Sequence, residues 1–196
     1  MDFTQVGPWL FALFSRRRSN LPAALATLLF SAVPLYAQGL TEYDVKAAYL
    51  FNFGKFLRQP EVSGRSSFDI CLLGRDDIGA ALEKLTANER NDGLPERTVR
   101  LPRAAAGRSC AIVFISNSEA ERVDRELAEL AGAPVLTVSD MPRFLEHGGM
   151  IQFDMQGKHV RFSVALNPVN RAGLSLSSEL LKVALSVTGT PRREEQ

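Results

Sequence analysis

Cys71, Cys110, His147 and His159 are the scarcest chemically capable side chains of this chain, which holds two cysteines and two histidines. Together they match the ligand count of a structural zinc site. However, Cys71 centres the apolar run Phe68–Leu73 and Cys110 begins the run Cys110–Ile115. Two strands are an easier place to build a disulfide than a tetrahedral metal cage, so no metal is expected. His147 stands beside Gly148-Gly149 and near Ser139 and Asp140. Hydrolytic chemistry would need three oriented side chains drawn from that one short turn, and a surface histidine at a helix end accounts for His147 more simply. His159 alternates with Val160 and Phe162 and should face outward. Gly74-Arg75-Asp76-Asp77-Ile78-Gly79 follows an apolar run, where α/β folds cradle phosphate. It lacks the glycine spacing of a dinucleotide loop, and its two acids would repel phosphate, so a tight turn with helix-capping acids explains it. These residues predict no enzyme and no cofactor.

The compartment is read from the N-terminus. Arg16-Arg17-Arg18 precedes the uncharged stretch Leu21–Val33, and small Ala37 stands before Gln38. Basic block, short apolar region and small-residue exit are the parts of a secretory signal peptide. The stretch contains Pro22 and falls short of the roughly 20 apolar residues a membrane span needs. Residues 1–37 are therefore expected to be a cleaved signal peptide, 38–190 one domain and 191–196 a charged tail. Residues 1–14, with Trp9, Leu10, Phe11 and Phe14, are unlike the start of a leader, so either the true start lies later or the leader is long. In an oxidising compartment two cysteines read as one Cys71–Cys110 bridge; two buried reduced thiols are the alternative. A bridge could be structural, or a redox sensor if strained or exposed. An apolar content of 45% suffices for a core, and a formal net charge of +1 argues against nucleic acid as a partner.

The elements that must position these residues follow from periodicity. Thr41 caps a helix over 42–58 with Val45, Tyr49, Phe53 and Phe56 on its apolar stripe, ended by Pro60. A strand spans Phe68–Leu73, and Asp77 opens a helix with Ile78, Ala81, Leu82 and Leu85 on one face. Asn91-Asp92-Gly93 turns into a strand over Arg97–Leu101. Cys110–Ile115 reads as a buried central strand, and Glu119–Ala131 as a helix closed by Gly132. Pro134–Ser139 is a strand, Asp140-Met141-Pro142 begins a short helix closing at Gly148-Gly149, and Met150–Met155 with Lys158–Ala165 form a hairpin. Residues 168–172 are helical, and Leu174–Val187 forms a last helix with Leu176, Leu180, Val183 and Val187 buried. The alternation predicts an α/β, Rossmann-like fold: a mostly parallel sheet with helices on both faces and a C-terminal antiparallel hairpin.

Six stretches, in order, carry a resemblance. They are Tyr43–Phe53 (YDVKAAYLFNF), Ile70–Gly74 (ICLLG), Pro134–Asp140 (PVLTVSD), Gly148–Phe153 (GGMIQF), Val160-Arg161-Phe162 and Arg171–Leu181 (RAGLSLSSELL). The set resembles the YfiR-like family of periplasmic regulatory proteins from about Glu42 to Val187. Two departures stand out. The family's first helix usually ends in Trp-Pro, whereas Leu57-Arg58-Gln59-Pro60 keeps only the proline. Some members carry a second cysteine pair near the Gly-Gly-Met strand, and residues 134–160 contain no cysteine. The resemblance implies a Rossmann-like fold, often dimeric, and a repressor that binds the periplasmic part of an inner-membrane diguanylate cyclase. Envelope stress or a redox change then releases the cyclase, raises cyclic di-GMP and promotes biofilm. The membrane would be reached only through that partner. A contact surface needs aromatic or arginine anchors; Phe153, Phe162, Asn167 and Arg171, near the hairpin and last helices, are the expected partner-binding residues. A small-molecule-binding sensor acting with a kinase or receptor is the alternative.

Overall fold

Thr41 starts the first helix by a reciprocal cap. Its hydroxyl accepts from the Asp44 amide at 3.2 Å while the Asp44 carboxylate accepts from the Thr41 amide at 2.9 Å, satisfying two amides that the first turn would leave open. In the computed structural model, which describes residues 39–60 and 65–190, this helix, α1, spans Glu42–Phe56. The expected signal peptide and charged tail lie outside the described residues. The chain turns extended at Leu57, and Leu57–Arg58 (β1) pairs antiparallel with Ser175–Leu176 (β9), so α1 is two residues shorter than its apolar stripe suggests.

The main sheet contains β2 (Phe68–Leu73), β3 (Arg90–Asn91), β4 (Leu94–Leu101), β5 (Ile112–Ile115), β6 (Leu136–Ser139), β7 (Ile151–Gln156), β8 (His159–Ala165) and β10 (Ser186–Thr188). Their order is β10-β8-β7-β6-β5-β2-β4-β3. The centre, β7-β6-β5-β2-β4, is parallel throughout, and β3 and β8 are antiparallel to their neighbours β4 and β7. The fold is α/β and Rossmann-like, as the element order predicts.

Alternation along the central strands divides two cores. Ile70, Leu72, Ile112, Phe114, Leu136 and Val138 point toward α1, α2 (Gly79–Thr86), α4 (Leu166–Arg171) and α5 (Ser178–Val183). Cys71, Leu73, Val113 and Ile115 point to the other face, under α3 (Val123–Leu130) and a 3-10 turn at Ala104–Ser109. All four residues of β5 are buried, as expected of a strand covered on both faces. The Cys71–Cys110 disulfide is formed within the second core, with Cα atoms 6.2 Å apart.

Four local expectations are corrected. Ile78, not Asp77, is the N-cap of α2, and the carboxylate at the helix entry is that of Asp76, which accepts from the Ile78 and Gly79 amides at 3.0 and 2.8 Å. The helix expected over 119–131 begins as a 3-10 turn at Asn117–Arg122 before becoming α3. Residues 140–148 form turns rather than a helix, because the Ser139 hydroxyl takes the Met141 amide and Arg143 adopts a φ of 62°. The final helix stops at Val183; the Leu185 amide donates to Phe162 O at 2.7 Å and β10 runs parallel to β8. A continued helix would leave the β8 edge unpaired, so sheet pairing outweighs helical periodicity here. Val183 and Val187 are consequently exposed, and only Leu180 of the four expected apolar residues is fully buried.

Candidate functional site: a polar cleft at the strand ends

The residues that might assemble a hydrolytic triad are spoken for separately. His147 Nδ1 meets Asp124 of α3 at 2.7 Å. The Ser139 hydroxyl is buried and donates to Ile115 O at 2.6 Å. Asp140 faces Lys46. Among the described residues no three His, Cys, Asp or Glu side chains group as metal ligands, and no helix is long and apolar enough to cross a membrane.

In this strand order the chain reverses direction between β2 and β5, the point where open α/β sheets usually bind ligands. That crevice is closed by the protein itself. The Arg75 amide donates to the Ser118 hydroxyl at 2.9 Å, the Ser116 hydroxyl donates to Arg75 O, and a Cβ on Gly74 would fall 2.6 Å from the Ser118 hydroxyl.

An open cleft of about 390 Å³ lies one strand further along. Register creates it: β6–β7 pairing ends at Ser139–Gln152, whereas β7–β8 pairing continues to Gln156–His159. The hairpin therefore overhangs the end of β6. Glu42 and Lys46 of α1 form one wall, Asn117 and Asp140 the strand-end floor, and Gln152 to Met155 the other wall. Lys46 is the buried centre, 2.6 Å from Glu42 and 2.9 Å from Asp140. Burial alone would lower its pKa, but hydrogen bonds and charge from these two carboxylates outweigh it, so the pKa is raised and the ammonium is held. Asp140 also accepts from the Asn117 amide at 3.2 Å. Asp154 is fixed by Gln152 at 2.8 Å and by Ser163 at 2.6 Å. Three carboxylates around one ammonium make the cleft acidic. Met155 of its lining is 46% exposed, and Tyr43, 42% exposed, lies next to Glu42 with its ring centroid 5.9 Å from Lys46 Nζ. Such a site can bind; it has no nucleophile with an adjacent base.

The four expected partner contacts separate. Phe153 and Phe162 are cross-strand neighbours, but on the core face. Phe162 is fully buried, 5.1 Å from the Phe53 ring and 5.3 Å from Tyr49; Phe153 is 5% exposed, 5.9 Å from Phe53, and also lines the cleft. Both are corrected to core residues, because α1 covers their face of the hairpin. Asn167 and Arg171 are exposed on α4, one helical turn apart. The Asn167 side chain occupies the space beside Gly189, helping to seat the segment after β10. Lys46, Glu42 and Asp154 were missed by sequence reasoning. The available signal was Lys46 itself, a lysine between Val45 and Ala47 in the apolar middle of the helix, with Glu42 one turn before it.

The chain resembles a conserved domain protein from Vibrio cholerae O1 biovar El Tor at 9% identity and a TM-score of 0.50, covering 76% of this chain and 61% of that one. It also resembles the ABC domain in complex with L-Trp from Streptococcus pneumonia at 13% identity and a TM-score of 0.52, covering 72% and 60%. The chain thus spans about three-fifths of the length of these solved structures, and at such identity the likeness is one of fold. The sequence profile of the YfiR/HmsC-like family matches residues 43–185, from the start of α1 to the residue before β10. This protein belongs to the YfiR/HmsC-like family.

Proposed function

We propose that the protein is a periplasmic binding protein that holds an inner-membrane diguanylate cyclase in its inactive state, docking on the cyclase's periplasmic part through the acidic cleft. Membership of the YfiR/HmsC-like family, which implies a periplasmic regulator of cyclic di-GMP signalling, supports this role. The observation that carries the docking site is an acidic cleft of about 390 Å³ with exposed Met155 in its lining and exposed Tyr43 beside Lys46. Aromatic residues beside a concave polar surface are where interface energy concentrates. The mechanism is population shift: binding only the inactive sensor state withholds the active one, and strong repression needs a preference of several kcal/mol. Asn167 and Arg171, exposed on α4, are secondary contact candidates. Burial of both cysteines, 0% and 3% exposed, supports a stabilising bridge rather than a sensing one.

The test is a Tyr43→Ala/Met155→Ala double variant. Both side chains are surface residues, so its melting temperature should stay within about 2 °C of the parent. Affinity for the cyclase's periplasmic domain should fall at least tenfold, and cellular cyclic di-GMP should rise as it does in a deletion strain. Unchanged binding and unchanged cyclic di-GMP would remove the cleft from the interface. A deletion that leaves cyclic di-GMP unchanged would remove cyclase repression itself.

A further inference from the structure

A second cavity, of about 260 Å³, opens between the end of α3 and α4, beside the starts of β6 and β7. Leu127 and Leu130 of α3, Val135 and Met150 give it apolar walls. Two polar groups reach it. Thr137, 3% exposed, accepts from the Met150 amide at 3.2 Å, and its own hydroxyl hydrogen has no acceptor among the described residues. Arg171 is the only charged residue of the lining. Unlike Arg97, Arg100, Arg122, Arg125 and Arg143, each of which meets a carboxylate, Arg171 has no acidic partner among the described residues.

We infer that this cavity binds a small apolar monocarboxylate, its hydrocarbon body against Leu127, Leu130, Val135 and Met150 and its carboxylate at the Arg171 guanidinium. Apolar walls with a few convergent polar groups are the usual composition of a ligand pocket. A guanidinium fork matches a carboxylate in geometry as well as charge. The volume lies just under the range of drug-sized pockets, roughly 300–1,000 Å³, which selects a short chain rather than a long lipid. The inference does not rest on docking at the acidic cleft, with which this cavity shares no lining residue; Arg171, also a secondary docking candidate, is read here by ligand titration of the protein alone, so either reading can fail without the other.

Octanoate is the probe, titrated calorimetrically into the disulfide-bonded protein below its micellar concentration, with octylamine and octanol as charge controls. Saturable one-to-one binding of octanoate, at least tenfold tighter than either control, is expected. Arg171→Gln should weaken octanoate at least tenfold while leaving octanol unchanged. Ala131→Phe, placed at the exposed rim, should block all three ligands without altering the melting temperature of the free protein. Equal affinity for the acid, amine and alcohol, no octanoate binding, or octanoate binding that survives both substitutions would overturn the proposal.

Discussion

Lys46 and Glu96 show how differently two buried charges can be housed. Lys46 has two carboxylate partners, so removing the ammonium strands Asp140 in the cleft. Lys46→Met should cost roughly 3 kcal/mol, read from urea midpoints, and a cost below about 0.5 kcal/mol would mean that Asp140 re-solvates freely. Glu96 is 6% exposed; its Oε1 accepts from Asn91 at 3.2 Å and its Oε2 has no partner among the described residues. Burial raises its pKa above the ordinary 4.5 more than Asn91 and the distant Lys55 charge lower it. Because the folded pKa lies above the unfolded one, the folded state favours the proton, and the contribution of Glu96 to stability is greatest below pH 4.5 and is lost as pH rises through the folded pKa. Glu96→Gln should therefore melt about 2–4 °C higher at pH 7 and show no advantage below pH 4.5; parallel melting curves across that window would refute it. Neither role was legible from sequence. Periodicity puts Phe153 and Phe162 on one face of the hairpin, yet which face a helix covers depends on α1, about a hundred residues away.

Elements were legible where a local pattern decides them. The apolar run of β5 and the capping box of α1 needed no distant partner, and Thr41→Ala should cost about 1 kcal/mol of stability. Patterns failed where tertiary pairing competes. Leu174–Val187 has helical periodicity, but an open β8 edge draws Ser186–Thr188 into the sheet. The 140–148 segment has a helix-like start, but its exit is fixed by packing: a Cβ on Gly149 would sit 2.2 Å from the ring of Phe144, which is fully buried. Gly149→Ala should consequently lower stability by about 1–3 kcal/mol. A loss under 0.5 kcal/mol, with an unchanged near-UV spectrum, would show that Phe144 yields easily.

At the scale of the whole molecule, alternating strands and helices sufficed to give the sheet and its layers, whereas the cleft depends on a register difference that no local pattern records. The disulfide links residues separated by 39 positions and should contribute about 4 kcal/mol by restricting the unfolded chain. A Cys71→Ser/Cys110→Ser variant is expected to show that loss in a urea melt; an unchanged midpoint would mean the bridge relieves nothing. Its placement has a second consequence, for the search that precedes the native sheet. β5 is four apolar residues with no polar position to reject a wrong neighbour or a slipped alignment. Cys110 stands two residues before it, and Cys71 lies inside β2, where it is opposite Val113. Once oxidised, the chain has covalently chosen which strand β5 lies beside, and only shifts of a residue or two remain to be sampled. A reduced chain must make that choice by collision, with its most aggregation-prone segment uncovered while it does so.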